Sequence, residues 1–549
     1  MSRPYYGYSQ PDLPEPGGRL PVALVFPGPS SLAYSTLGWQ TVYSLLAERG
    51  GFRIERFFED GGGEPRSADT GAPLDSFPLI AFSVNFEEEY RVVASMLSRA
   101  GIPLRSRERG GWPLVLAGGP VAFINPLPIS PAVDCFWVGE AEAGLPDLLP
   151  DLAGVWLEGG DKKGFLDRVK DRDGVWVPGA SKTPVRRAVL PERELSRPAA
   201  SCFLSSKAEF RDMLLLEINR GCPYACRFCA AGAVYRPPRR ASTEKLKEVV
   251  ERADPPKVGL VGTALTDWPD LLPFLRWLKE RSTTFSLSSV RADGLTPELM
   301  EFLRKTGART LTLALEAPSK RLRTAAGKRL AEEDFLLAVE RAAAMRFNRL
   351  KIYLIVGWPG ETDADYDELA AFLDQVQAAR DRGRGARKSG LDLITLSLSP
   401  LVPKPWTPLQ WAPMAPEAAL SERIKRIKAI CKPLRGVRVE AETPFAARLQ
   451  ALLSRGDDRL FELVELAVEK GGWRAAIKAW DGDPADYLRE RDVNERLPWY
   501  VIDLGVSPEH LKRQWEAYRE NKPGTVCPPA GCEACRRCGM EAWVQGAQE

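Results

Sequence analysis

The chain has 549 residues, 44% hydrophobic and 9% aromatic, so it exceeds one ordinary domain and can fill several cores. Lys plus Arg number 76 against 73 Asp plus Glu, and a net charge of +3 gives no electrostatic drive toward nucleic acid or a membrane surface. No run approaches the roughly 18 apolar residues of a bilayer span, and the Pro/Gly-rich start lacks a signal peptide's apolar core, so a cytoplasmic location is expected.

Between residues 21 and 155 short apolar runs alternate with helical stretches. PVALVFPG precedes LGWQTVYSLLAERG, PLIAFSVNF precedes EEEYRVVASMLSRAG, and WPLVLAGG and VDCFWVGEAEAGLPDLLPDL follow. Buried-type strands separated by helices predict a doubly wound parallel sheet. DGGGEPRSADTGAP (60–73) reads as a flexible surface loop, and residues 180–205 as an inter-domain crossing.

A second alternating series runs from MLLLEINRG (213–221) through KVGLVG, TFSLSSV, TLTLALE and LKIYLIVG to LITLSLSPLV (393–402). Six strand–helix repeats predict a partial (β/α)6 barrel of TIM type. The last part reads as mostly helical. The expected domains are 1–185, 186–415 and 416–549.

Seven of the ten cysteines fall into two groups, Cys222/Cys226/Cys229 and Cys527/Cys532/Cys535/Cys538; Cys135, Cys202 and Cys431 stand apart. Such clustering points to metal rather than a disulfide framework. The first group directly follows the first strand of the second series, where parallel α/β folds gather ligands. Three thiolates leave one iron of a four-iron cube without a protein ligand. The one histidine, His510, excludes mechanisms built on several imidazoles and reads as a surface helix residue.

Cys222-x3-Cys226-x2-Cys229 with Phe228 before the last cysteine, on the loop after a first barrel strand, resembles the radical SAM superfamily. The resemblance implies that the open iron chelates S-adenosylmethionine (SAM) and that one electron, from a reductant such as flavodoxin or ferredoxin, cleaves it to a 5′-deoxyadenosyl radical. At the other strand ends it implies cofactor-binding roles for Gly262 and Thr263 in VGTALTD, Arg291 in VRADGL, Glu316 in LALEAPS, and Ile355 and Gly357 in KIYLIVGWPGET. VGTALTD lacks the second Gly and the Glu of the usual Gly-Gly-Glu segment, leaving only backbone contacts there.

The N-terminal part resembles the cobalamin-binding domains attached to many such enzymes, through Gly118-Gly119-Pro120, Asp134 and Gly139-Glu140. No histidine precedes residue 510, so the usual lower ligand to cobalt is absent. A cobalamin site without that ligand and a cofactor-free sheet both remain open.

CPPAGCEACRRC (527–538) fits an auxiliary [4Fe-4S] cluster or structural zinc. In SPLVPKPWTPLQW (399–411), Lys404, Trp406 and Trp411 line a substrate cavity or form a packing strap, and Tyr235 faces the same choice. RDRGRGARKSG (380–390) reads as a solvated loop rather than an RNA contact. The expected function is C–H functionalisation, with carbon methylation if cobalamin binds. Rearrangement or oxidation without cobalamin is the enzymatic alternative, and a non-catalytic iron–sulfur or zinc RNA-binding module the alternative of another class. The sequence leaves the substrate unidentified.

Overall fold

The computed structural model describes residue 15 and residues 17–190, 194–195, 197–287, 290–387, 389–528, 531–532, 535, 537–541 and 543. The start of the chain, on which the signal-peptide reading rests, lies largely outside them. Near the N-terminus a six-stranded sheet has β1 (Leu20–Val25), β2 (Phe52–Phe57), β3 (Leu79–Ser83), β4 (Leu114–Gly118), β5 (Cys135–Trp137) and β6 (Val175–Trp176) in the order β2-β1-β3-β4-β5-β6. β1 to β5 are parallel and β6 is antiparallel to β5. This is a doubly wound order whose switch point lies between β1 and β3. β3 is buried at all five positions because helices cover both faces of the sheet.

β2 was not among the expected strands, because FRIERF carries three charges. Two of them are buried, and the Arg56 guanidinium pairs with Asp69 at 2.5 Å. Asp69 belongs to the stretch expected as a flexible surface loop, so this ion pair ties part of that loop to the sheet.

Among the described residues seven parallel strands make the second unit. They are β7 (Met213–Glu217), β8 (Lys257–Val261), β9 (Thr284–Leu287), β10 (Thr310–Glu316), β11 (Arg349–Val356), β12 (Leu393–Pro400) and β13 (Val437–Ala441). β7, β8 and β9 form one ladder and β10 to β13 another; the two meet where the Val290 N–H donates to the Thr312 carbonyl at 3.4 Å. The six expected strands are all present, and β13 adds a seventh from the segment expected to be helical. In β10 and β11 the positions alternate strictly. Leu311, Leu313, Leu315, Leu350, Ile352 and Leu354 are buried, leaving Glu316 and Ile355 on the opposite face.

Helices Pro444–Arg455, Phe461–Glu469 and Pro508–Arg519 follow, and one hydrophobic core runs through all three parts of the chain. Trp406 and Trp411 sit in that core at 3% and 1% exposure, and Lys404 donates to Glu87 of the N-terminal part at 2.5 Å. Residues 399–411 are thus a packing strap. The basic run is mostly exposed, as expected of a solvated segment, although its first five residues end the helix Asp363–Arg384 and Arg380, Arg384 and Arg387 donate to the carbonyls of Arg435, Leu391 and Ala344. Among the described residues no helix is long and apolar enough to cross a membrane.

The sheet and the barrel are joined by buried ion pairs. Arg220, just past β7, bonds Glu140 at 3.2 Å, Glu142 at 2.9 Å and Glu217 at 2.8 Å, while Arg239 bonds both oxygens of Glu140. Burial pushes the Glu140 carboxyl up, but Arg239, Arg220 and Arg187 outweigh it and hold the group at about 2. A depressed carboxyl contributes stability that is complete above its ordinary 4.5 and is lost as pH falls toward 2. Thermal unfolding followed across that window should show the wild-type midpoint dropping more steeply than that of Glu140→Gln. Parallel pH profiles would place the stabilising pairs elsewhere.

Candidate active site

Gly221 turns the chain out of β7 with φ +78, and a Cβ there would lie 2.4 Å from the Tyr235 carbonyl, so only glycine fits. The loop that follows carries Cys222, Cys226 and Cys229, all half-buried. Backbone N–H groups turn toward two of the sulfurs, that of Tyr224 toward Cys222 and those of Ala231 and Gly232 toward Cys229. Burial pushes all three thiols up, Cys226 to about 12, so a bound cation is needed to hold them as thiolates. Among the described residues no three sulfur, imidazole or carboxylate groups converge to the spacing of a single bound ion. Three soft donors on one loop, with amides turned toward them, fit a cluster held by three cysteines.

The partners of that loop are largely the residues expected from the strand ends. Phe228 packs edge-on against Trp358, with centroids 5.4 Å apart, and Trp358 stacks in turn on Tyr518. Gly357 has φ +85, and its N–H donates to Glu361 at 2.9 Å. The carbonyl of Ile355 accepts from the Trp358 indole at 2.9 Å. Glu316 sits at a bulge at the end of β10 with φ +70, a strained conformation for a non-glycine residue, and accepts from Lys328 at 3.1 Å. Its charge is felt by Cys226 and Cys229.

Arg291 lies over the Tyr224 ring at 3.8 Å and pairs with Asp293 at 2.5 Å, so its guanidinium grips the cluster loop itself. Thr263 faces Cys222 and is tied by its N–H to Asn219 at 2.8 Å and by its hydroxyl to the Gly221 carbonyl at 2.6 Å. Its amide is therefore engaged within the protein. A Cβ on Gly262 would meet Asn219 at 2.6 Å, so that glycine serves the close approach of strand ends.

The second cysteine group lies against the first loop. The Cys527 N–H donates to Pro223 at 2.8 Å, Val526 bridges Tyr224, and the Ala225 N–H reaches Thr525 at 3.4 Å. Arg227, 1% exposed, donates to the carbonyls of Ala325 at 2.6 Å, Lys522 at 2.7 Å and Pro523 at 3.2 Å. Arg236 donates to the sulfurs of Cys527 at 3.7 Å and Cys538 at 3.5 Å. His510 is not a surface residue. It is 8% exposed, and burial together with Arg236 and Arg513 holds its imidazole down at about 4. Arg227 and Arg236 were missed from the sequence, since the partners that tie them to the C-terminal segment lie 291 to 302 residues away and nothing local marks them.

A cavity of about 420 Å³ opens where the carboxyl ends of β1, β3, β4 and β5 face Asn219–Gly221 and Val261–Thr263. Gly118, Gly119, Pro120, Gly139 and Glu140 line it, as does Tyr235, which packs edge-on against Phe123. Gly119 (φ +105) and Gly139 (φ +126) hold backbone so close that a Cβ would lie 2.3 Å from the Val84 carbonyl and 2.1 Å from that of Ala188. At the rim, Glu89 accepts from the N–H of cavity-lining Asn85 at 2.7 Å, and burial pushes its carboxyl up to about 7. Asp134 lies outside the cavity. It is buried against Arg109 and Lys162, each at 3.2 Å, and anchors the lead into β5. Trp406, Trp411 and Lys404 do not line this cavity.

Comparison with known proteins follows the same division. Residues 38–178 match the family described as radical SAM proteins, N-terminal, and residues 216–373 match the radical SAM superfamily; together they span more than half the chain. An uncharacterised protein of Methanocaldococcus jannaschii is 28% identical over 417 residues, 74% of this chain and 84% of that protein. The tRNA-2-methylthio-N(6)-dimethylallyladenosine synthase of Cereibacter sphaeroides is 27% identical over 263 residues, 44% of this chain and 52% of the relative, so the chain spans about half of that protein's length. Among solved structures, the radical S-adenosylmethionine methyltransferase TsrM of Kitasatospora setae, with cobalamin and a [4Fe-4S] cluster bound, is similar in fold. Its TM-score is 0.51 at 13% identity, covering 84% of this chain and all of that one. With the three-cysteine loop at the end of the first barrel strand and both family segments in register with the fold, the chain belongs to the radical SAM superfamily.

Proposed function

We propose that this radical SAM enzyme binds cobalamin between its sheet and its barrel and methylates carbon. The observation that carries the reading is the cavity at the carboxyl ends of β1, β3, β4 and β5, opposite the lead into the cluster loop. Its glycine-edged floor at Gly118-Gly119 and Gly139 suits a broad, flat ligand, with Ser83 and Asn85 offering polar contacts. The residues present fit a corrinoid on this observation. The lining contains no imidazole, and His510 is the chain's single histidine, so a bound corrinoid would be held without a histidine ligand from this lining.

Cys222, Cys226 and Cys229 would hold the [4Fe-4S] cluster, and Glu316, kept in its strained conformation beside Lys328, would bind the amino group or ribose of SAM. With these groups bound, the site supplies one-electron reductive cleavage of SAM and methyl transfer. The chain's own residues do the rest. Phe228 and Trp358 screen one side of the loop from water, and Arg291 lies over Tyr224 within it. Tyr235 has its hydroxyl pushed up by burial, so it keeps its proton and serves as a donor at the cavity wall. Cys527, Cys532, Cys535 and Cys538 would hold an auxiliary iron–sulfur cluster. Methylthiolation has less support. Before residue 200 the chain has one cysteine, Cys135, and it is fully buried in β5.

Anaerobic reconstitution should give about 8 iron per chain, as two four-iron clusters. The triple change of Cys222, Cys226 and Cys229 to Ala should remove about half of it and abolish SAM cleavage. Iron near four together with one zinc would assign the C-terminal cysteines to zinc instead. Protein supplied with hydroxocobalamin should retain it through gel filtration, and its Co(II) spin-resonance spectrum should lack nitrogen superhyperfine splitting. Loss of the corrinoid on the column would reject the cobalamin reading. Glu316→Gln should weaken SAM binding tenfold or more, about 1.4 kcal/mol, in an equilibrium titration of the reconstituted protein. Unchanged affinity would remove Glu316 from the SAM site.

A further inference from the structure

We infer that the C-terminal cysteine group acts as a clasp on the SAM-cluster loop, with Arg236 as the residue that joins the two sites. The inference rests on the reading above that Cys527, Cys532, Cys535 and Cys538 hold metal.

The strip just before Cys527 is laid between two segments that build the active site. On one side it pairs with the cluster loop, through Cys527 to Pro223, Val526 to Tyr224 and Ala225 to Thr525. On the other it meets the turn after the helix Lys320–Ala325, which follows β10. There Arg329 donates to the Gly524 carbonyl at 3.0 Å, and a Cβ on Gly524 would lie 2.6 Å from the Gly327 Cα. That turn also carries Lys328, the partner of Glu316. Arg227, inside the Cys222–Cys229 motif, closes the sandwich by donating to Ala325 on one side and to Lys522 and Pro523 on the other.

Such a strip is costly to order alone. It lies outside any helix or long strand, and each fixed backbone residue loses about 1–2 kcal/mol of conformational entropy. Immediately after it come the four cysteines, and a metal bound to them closes a short loop that fixes its end. Arg236 completes the link. It lies seven residues beyond Cys229 in sequence, it is 7% exposed, and its Nη1 is shared between Cys527 and Cys538, while its Nε donates to the Gly232 carbonyl at 2.7 Å. The negative charge of a thiolate-bound site is the counter-charge for this guanidinium. Loading the C-terminal site therefore draws Arg236 and, through Gly232, the end of the cluster loop into place. Arg236 is a positioning residue; it touches neither SAM nor substrate in this scheme.

The test uses the full-length protein reconstituted anaerobically with iron and sulfide, and reads amide hydrogen exchange by mass spectrometry together with metal content. Cys532→Ser/Cys535→Ser should speed exchange in residues 222–232 at least about tenfold, while residues 20–118 exchange as in wild type, which shows that the variant is folded. Arg236→Gln, with every cysteine kept, should speed exchange in the same segment, and Arg236→Lys should restore part of the protection. Exchange in 222–232 equal to wild type in both Cys532→Ser/Cys535→Ser and Arg236→Gln would overturn the clasp, leaving metal binding by the C-terminal group intact. Wild-type protein whose C-terminal cysteines take up neither iron nor zinc would instead overturn the metal reading, and the clasp with it.

Discussion

The arrangement of this protein depends on a buried knot of charge centred on Arg220. The residue lies two positions before Cys222, and it is held at once by Glu217 at the end of β7 and by Glu140 and Glu142 just past β5 of the N-terminal sheet. All four side chains are at most 13% exposed, so the pairs act where water screens little. Removing Glu140 would leave the buried Arg239 guanidinium without the carboxylate it bonds. The knot fixes the distance between the lead into the cluster loop and the end of β5, and with it the width of the cavity between them.

Around this knot the two halves of the chain meet by the same geometry. Parallel sheets offer ligands their carboxyl ends, and here the carboxyl ends of a doubly wound sheet and of the first barrel strands face one another. Glycines at 119, 139, 221 and 262 sit where the strand ends come closest, each at a place where a Cβ would collide. The C-terminal segment then covers the opposite side of the cluster loop. The loop that carries the chemistry is gripped by three regions of sequence, and little of its own stability is local.

What could be read from the sequence follows from range. Strands β1, β3, β4 and the first six barrel strands announce themselves as apolar runs, because burial against helices is written into each run separately. The three-cysteine spacing is equally local. β2 and β13 escaped because FRIERF and VRVEA carry charges that only tertiary partners explain, Asp69 for Arg56 and Thr395 for Arg438. The strap at 399–411 is apolar enough to be either a cavity wall or packing, and only the fold decides for packing. The burial of His510, the docking of residues 523–527 on the cluster loop and the reach of Arg236 to Cys538 all join positions hundreds of residues apart or depend on what such contacts bury. No periodicity or spacing encodes them.

The protonation of Glu89 has a consequence for how this molecule responds to its surroundings. The sole imidazole is held at about 4 and stays neutral across the physiological range, so the usual sensor of mild acid is silent. The Glu89 carboxyl, bonded to cavity-lining Asn85, titrates in that range instead. Between its ordinary 4.5 and about 7 the folded chain keeps a proton on Glu89 that an unfolded chain has released, so this group's contribution to folding stability falls as pH rises through that window. A change of pH near neutrality would alter the charge on a glutamate hydrogen-bonded to cavity-lining Asn85, in a chain with a single and buried histidine.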